Sequence, residues 1–112
     1  MAPAGAPLLH VALAFDWEAA QLAGTYPIPR GLGGDPAPFI HLCGPEQLPG
    51  VLERFFAEEG EPLVLLEVDP ALLDVRLEPA PDGAGLFPHL YEALPVASVT
   101  AVRPDPRPGR AG

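Results

Sequence analysis

The three histidines of the chain, His10, His41 and His89, each interrupt a short apolar segment: LLHVALAF, PFIHLC and LFPHLY. Hydrophobic surroundings disfavour the charged imidazole and leave two ring nitrogens to satisfy, so each ring calls for a partner or a task. Any one of them reads equally well as a hydrogen-bonded core residue. Together they mark the walls of one candidate cleft, in which neutral imidazoles would contact a polar ligand, move a proton or bind a metal.

Other residues offer chemistry beside them. Glu67 stands inside the apolar run LVLLEV and is either a catalytic carboxylate or a strand-end partner for Arg76. Arg30, with the backbone amides of Gly31, Gly33 and Gly34, is the obvious donor for a phosphate, or else a solvated loop cation. Tyr91 and Tyr26 offer rings that either stack on a base or pack under a loop. His41 and Cys43 share a strand face at i and i+2. That spacing of roughly 7 Å is too long for direct proton transfer, so Cys43 reads as a small buried hydrophobe. A three-histidine metal centre of the hydrolase kind would need convergence from separate strands, because no HxxxH-type spacing occurs.

The elements that must position these groups follow from periodicity. Leu8 to Ala14 alternates bulky Leu9, Val11 and Leu13 with His10, Ala12 and Ala14, which predicts a strand with one packed face. Asp16 is placed to cap a helix from Trp17 to Ala23, with Trp17, Ala20 and Leu22 inward and Gly24 ending it in a left-handed conformation. Tyr26 to Pro38 holds four prolines and three glycines and reads as a long loop. Phe39 to Cys43 predicts a central strand with Phe39, His41 and Cys43 on one face. Gln47 to Glu58 predicts a helix with Pro49 in its first turn, Val51, Leu52, Phe55 and Phe56 inward, and Gly60 as its stop. Leu63 to Val68 is the strongest strand, followed by an Asp69-Pro70 turn. Val75 to Glu78 predicts a short strand, Pro79 to Gly85 a turn with Asp82-Gly83 at its tip, and Val96 to Arg103 a closing strand.

Composition narrows the function classes. At 112 residues, 48% hydrophobic and 19% charged, the chain predicts one domain over residues 1–103 and a disordered Pro/Gly/Arg tail over residues 104–112. Its net charge of −9 repels nucleic acid and anionic membranes. Having no lysine, it has no side chain for a Schiff base. A single cysteine excludes an internal disulfide, and the N-terminal MAPAGAP lacks the basic residues of a secretion signal; both point to a cytoplasmic protein. The excess of Pro, Gly and Arg over Lys and Asn is that of a GC-rich bacterium.

The linked phrases Trp17-Glu18-Ala19-Ala20, Phe39-Ile40-His41-Leu42, Leu66-Glu67-Val68-Asp69-Pro70 and Phe87-Pro88-His89-Leu90-Tyr91, in this order, resemble the bacterial family called domain of unknown function 952 (DUF952) from about Leu8 to Arg103. That resemblance implies an α+β domain of the ADP-ribosyltransferase-like kind, two small packed sheets with two short helices gripping NAD between them. It further implies His10 at the adenosine ribose, His41 at the nicotinamide, and His89, Glu67 or Glu78 completing the site; a nucleotide held there would draw on Arg30 and Tyr91 for the phosphate and ring contacts already noted. The residue after the second-strand motif is Cys43 where the family pattern has Ser. The resulting expectation is an NAD- or nucleotide-binding protein of unknown acceptor. Its rivals are a non-enzymatic module for a small metabolite or peptide, and a metal-dependent hydrolase using the three histidines.

Overall fold

Strand β1 (Leu8–Leu13) lies antiparallel to β4 (Leu63–Val68), which pairs on its other side with β8 (Val99–Arg103), giving the order β1-β4-β8. The computed structural model describes residues 7–28, 39–80 and 85–109. The apolarity of β4 follows from burial on both faces. Leu66 and Val68 belong to one cluster with Trp17, Ala20, Ile40 and Leu90, whereas Leu63 and Leu65 belong to another with Leu9, Val11 and Cys43. Strand β1 is packed on both faces for the same reason, not on the one face its alternation suggested. His10 and Ala12 are buried along with Leu9 and Val11.

A second sheet has the order β3-β6-β5, formed by β3 (Ile40–His41), β6 (Leu86–Leu90) and β5 (Val75–Pro79). It is stitched to the first by a bridge in which Leu9 and Cys43 exchange N–H···O bonds of 2.8 Å each. Regular pairing of β3 stops after His41 because its neighbour is Pro88. The Pro88 carbonyl accepts from the Leu42 N–H at 3.0 Å, but proline has no N–H to return. A small third sheet joins β2 (Thr25–Tyr26) to β7 (Leu94–Pro95). The α+β class holds, with three antiparallel sheets among the described residues in place of two.

Helix α1 (Ala14–Ala23) starts two residues before Asp16, after Leu13, with no side-chain cap. Asp16 instead sits in its first turn, where a carboxylate faces the positive end of the helix dipole. Trp17 and Ala20 are buried as expected; Leu22 is 93% exposed and faces solvent. Gly24 ends the helix at φ 87°, its N–H donating to Ala20. The second helical segment is composite: a 3-10 turn (Pro45–Gln47), α2 (Leu48–Val51) and a π turn (Leu52–Phe56). The wide π turn shifts the inward stripe from a four-residue to a five-residue step. Val51, Leu52 and Phe56 therefore pack on the second cluster, while Phe55 swings out to 63% exposure.

The tail is the largest departure from expectation. Arg107 is buried: its guanidinium bonds the carboxylate of Asp105 and the carbonyls of Phe56, Glu59 and Glu61, and Asp105 also accepts from the Leu63 N–H. Residues 104–109 thus form a latch between the end of the second helix and the start of β4. A single Arg seated against four carbonyl and carboxylate groups orders a segment whose composition alone predicts disorder. The expected Asp82-Gly83 tip lies outside the described residues. Among the described residues no helix is long and apolar enough to cross a membrane.

Candidate functional site

Register places Arg76, His89 and His41 in one row across the β5-β6-β3 sheet: Arg76 opposes His89, and His89 opposes His41. The row crosses two interstrand steps of about 4.8 Å. Side-chain alternation puts Glu78 on the same face as Arg76 and Phe39 on the same face as His41. These residues meet. Phe39 stacks on the His89 ring at 3.9 Å between centroids, meets the His41 ring edge-on at 4.8 Å and lies 5.3 Å from the Tyr91 ring. The two imidazoles are perpendicular with centroids 5.2 Å apart.

Glu78 organises the cluster. One of its oxygens, Oε1, accepts both from the Tyr91 hydroxyl at 2.5 Å and from the His89 ring nitrogen Nδ1 at 2.9 Å. These bonds hold the Glu78 carboxyl below its ordinary pKa, the tyrosine contact contributing most, and the same contact pushes the Tyr91 hydroxyl upward. With Nδ1–H committed to the carboxylate, Nε2 is the ring nitrogen of His89 that can carry a lone pair. Arg76 lies over the Tyr91 ring at 4.3 Å while bonding Asp74 at 3.0 and 3.2 Å. His41 is exposed, and partial burial together with the neighbouring His89 lowers its pKa, so at neutral pH it is uncharged.

His10 does not line this face. It is buried in the core beneath β3, its Nδ1 2.7 Å from the backbone carbonyl oxygen of His41, and its ring meets Tyr26 edge-on at 5.2 Å. A carbonyl only accepts, so Nδ1 carries the proton and Nε2 is bare. That Nε2 is the one buried side-chain nitrogen or oxygen without a partner among the described residues. Burial takes the His10 pKa down to about 4. The role expected for His10 at a ribose is therefore corrected: its ring supports the main chain of His41 from inside, because the β1 face that carries it is closed by core packing.

Glu67 is also displaced from the expected site. It opposes Leu9 and Ala101, so it projects from the opposite face of its sheet to His10, and it pairs with Arg103, not with Arg76. Arg30 and Gly31, Gly33 and Gly34 lie outside the described residues. Cys43 is buried with Leu9 and Val11 rather than sharing an open face with His41, and burial pushes its thiol up to about 11. Among the described residues no group of three or more His, Cys, Asp or Glu side chains is arranged to hold a metal ion. Two surface hollows, one lined by Gln47, Val51, Arg54 and Phe87 and the other by Leu63, Pro104 and Arg107, do not reach the histidines.

Of the residues singled out in the sequence, the structure brings His41, His89 and Tyr91 together; it adds Phe39 and Arg76 to them, and it places Glu78 there in preference to Glu67. The signal that finds the missed residues is the alternation of VRLEP against LFPHL. Once residues 86–90 are taken as a strand, Arg76 and Glu78 fall on the face of His89.

Comparison with known proteins places the chain within a group defined by sequence and fold. The profile of a family described as "Protein of unknown function (DUF952)" matches residues 12–102. A crystal structure of protein CC0527 from Caulobacter crescentus, 29% identical, superposes with a TM-score of 0.73 over 88% of this chain and 84% of that one. A solution NMR structure of CC0527, 27% identical, gives 0.70 over 94% and 90%. No curated protein matches the chain.

Proposed function

The chain belongs to the DUF952 family, and from that premise we propose that the exposed face of the β3-β6-β5 sheet binds NAD or a related nucleotide, in the manner of an ADP-ribosyltransferase-like protein. The reading rests on Glu78, a carboxylate held ionised by two donors on one oxygen amid the rings of Phe39, His41, His89 and Tyr91. Flat π faces suit a nicotinamide or adenine ring. An ionised carboxylate suits the positive charge that develops on a ribose as its glycosidic bond lengthens. Glu78 thus takes the part first given to Glu67.

In such a reaction the C1′–N bond breaks with its electron pair passing to the nicotinamide nitrogen. The resulting ribosyl cation is captured by the oxygen of water or of an acceptor, whose proton is lost to solvent. Tyr91 and His89 hold the carboxylate in place, Phe39 and His41 provide the stacking surface, and His10 fixes the backbone of His41. The negative net charge of the chain favours the cation.

Thermal shift and calorimetric titration with NAD and ADP-ribose test the binding; a ligand at about 100 times its Kd adds roughly 2.7 kcal/mol of stability. Glu78→Gln retains binding but loses nicotinamide release. The absence of any shift at millimolar NAD and ADP-ribose overturns the proposal. The second reading, a non-enzymatic binding module, is favoured by the position of the rings on a sheet face that neither surface hollow reaches among the described residues. Binding with no nicotinamide released by the unaltered protein establishes it.

A further inference from the structure

We infer that His41 and His89 form a two-imidazole chelate for a divalent transition ion of the zinc, nickel or copper class, with Glu78 as the outer partner that orients His89. The inference does not depend on nucleotide binding.

Geometry carries it. Two imidazoles bound to one tetrahedral ion through metal–nitrogen bonds of about 2.0–2.1 Å hold their ring centroids roughly 5 Å apart. The rings of His41 and His89, on directly opposed positions of neighbouring strands, stand at 5.2 Å with planes 85° apart. Such opposed positions are fixed by the sheet, so little chain entropy is lost in bringing the two ligands together.

The hydrogen-bond pattern is that of a prepared ligand. Metal-binding histidines characteristically donate their second ring N–H to a carboxylate or carbonyl, which sets the tautomer and raises ligand basicity. His89 does this through Nδ1 to Glu78, leaving Nε2 as the coordinating atom. His89 is buried at 6% exposure, whereas His41 beside it is exposed and has no ring hydrogen bond among the described residues, so an ion reaches the pair from the His41 side. The groups around the pair are Glu78, the neutral rings of Phe39 and Tyr91, and Arg76, whose charge is offset by Asp74. With no third protein ligand among the described residues, water completes the coordination. Such a centre is an open one, capable of polarising a bound oxygen ligand, and not a structural clamp. Imidazole nitrogen selects zinc, nickel and copper over magnesium and calcium.

The test uses the full chain stripped of metal by a chelator, titrated without nucleotide. Calorimetry with zinc chloride at neutral pH is expected to give about one equivalent bound. Copper(II) added at the same ratio is expected to show nitrogen hyperfine structure in its electron paramagnetic resonance spectrum. His41→Ala, a change at an exposed position, weakens binding by at least tenfold, and Glu78→Gln weakens it by about 10–100-fold. Magnesium does not compete. Absence of zinc binding, equal binding by wild type and His41→Ala, or a copper spectrum with only oxygen ligands overturns the inference. NAD binding, measured separately on the metal-free wild-type chain, distinguishes failure of this inference from failure of the nucleotide reading.

Discussion

The imidazole of His10 bonds the main chain of His41, Nδ1 to carbonyl oxygen at 2.7 Å, so a buried ring on one sheet fixes the strand that presents an exposed ring on the other. The two histidines serve one site from opposite sides. One is a positioning residue, and the other faces solvent.

Burial of the His10 ring makes stability depend on pH, and the bond to His41 offsets that effect only in part. The His10 pKa falls from 6.5 to about 4 on folding, so between those values the unfolded chain binds more protons than the native one. The contribution is complete above pH 6.5 and is lost as pH falls toward 4, a change of roughly 3 kcal/mol. His41, also lowered, adds to it with the same sign. Urea unfolding at pH 7, 5.5 and 4.5 measures the slope. His10→Leu is expected to flatten it while lowering the midpoint at pH 7, and an unchanged slope would refute the assignment.

The Arg107 latch is expected to contribute strongly to stability. Arg107→Ala leaves Asp105 and three carbonyls without their buried partner. The melting temperature should fall by more than about 5 °C. Removal of residues 104–112 should do the same, and Arg107→Lys should rescue only in part because an ammonium lacks the planar fork. Faster amide exchange at residues 56–63 in the Ala variant locates the effect.

Both tyrosines should titrate late. Burial pushes Tyr26 up to about 12, and the bond to Glu78 raises Tyr91. Ultraviolet titration of the folded protein should therefore show less than half tyrosinate at pH 10. Glu78→Gln should return one tyrosine toward its ordinary value, and Tyr91→Phe should remove that step; a titration centred at pH 10 in the wild type contradicts the geometry.

Leu72 is expected to be improvable. It is fully exposed and held at φ 70°, where a Cβ is disfavoured. Leu72→Gly relieves that strain at no packing cost and should stabilise the fold by about 0.5 kcal/mol after the added freedom of the unfolded chain is counted. Chemical denaturation of the pair of proteins decides it.

The sequence by itself determined the mixture of helix and strand, the strand Leu63–Val68, the first strand to within one residue of its end at Leu13, the Gly24 stop, the burial of Trp17 and Ala20, and membership of the family. Each of these is written in local periodicity or in residue order. It also marked His41, His89 and Tyr91, because polar rings in apolar segments stand out along the chain. Tertiary structure decided which carboxylate they meet. Glu67 and Glu78 both occupy strands, and only register puts Glu78 beside His89 and Tyr91 while sending Glu67 to Arg103 on another sheet. Tertiary structure likewise decided that His10 faces inward and that Arg107 closes a latch. Both depend on hydrogen bonds to carbonyls 31 and about 50 residues away. No local pattern records such bonds, because every residue carries the same carbonyl.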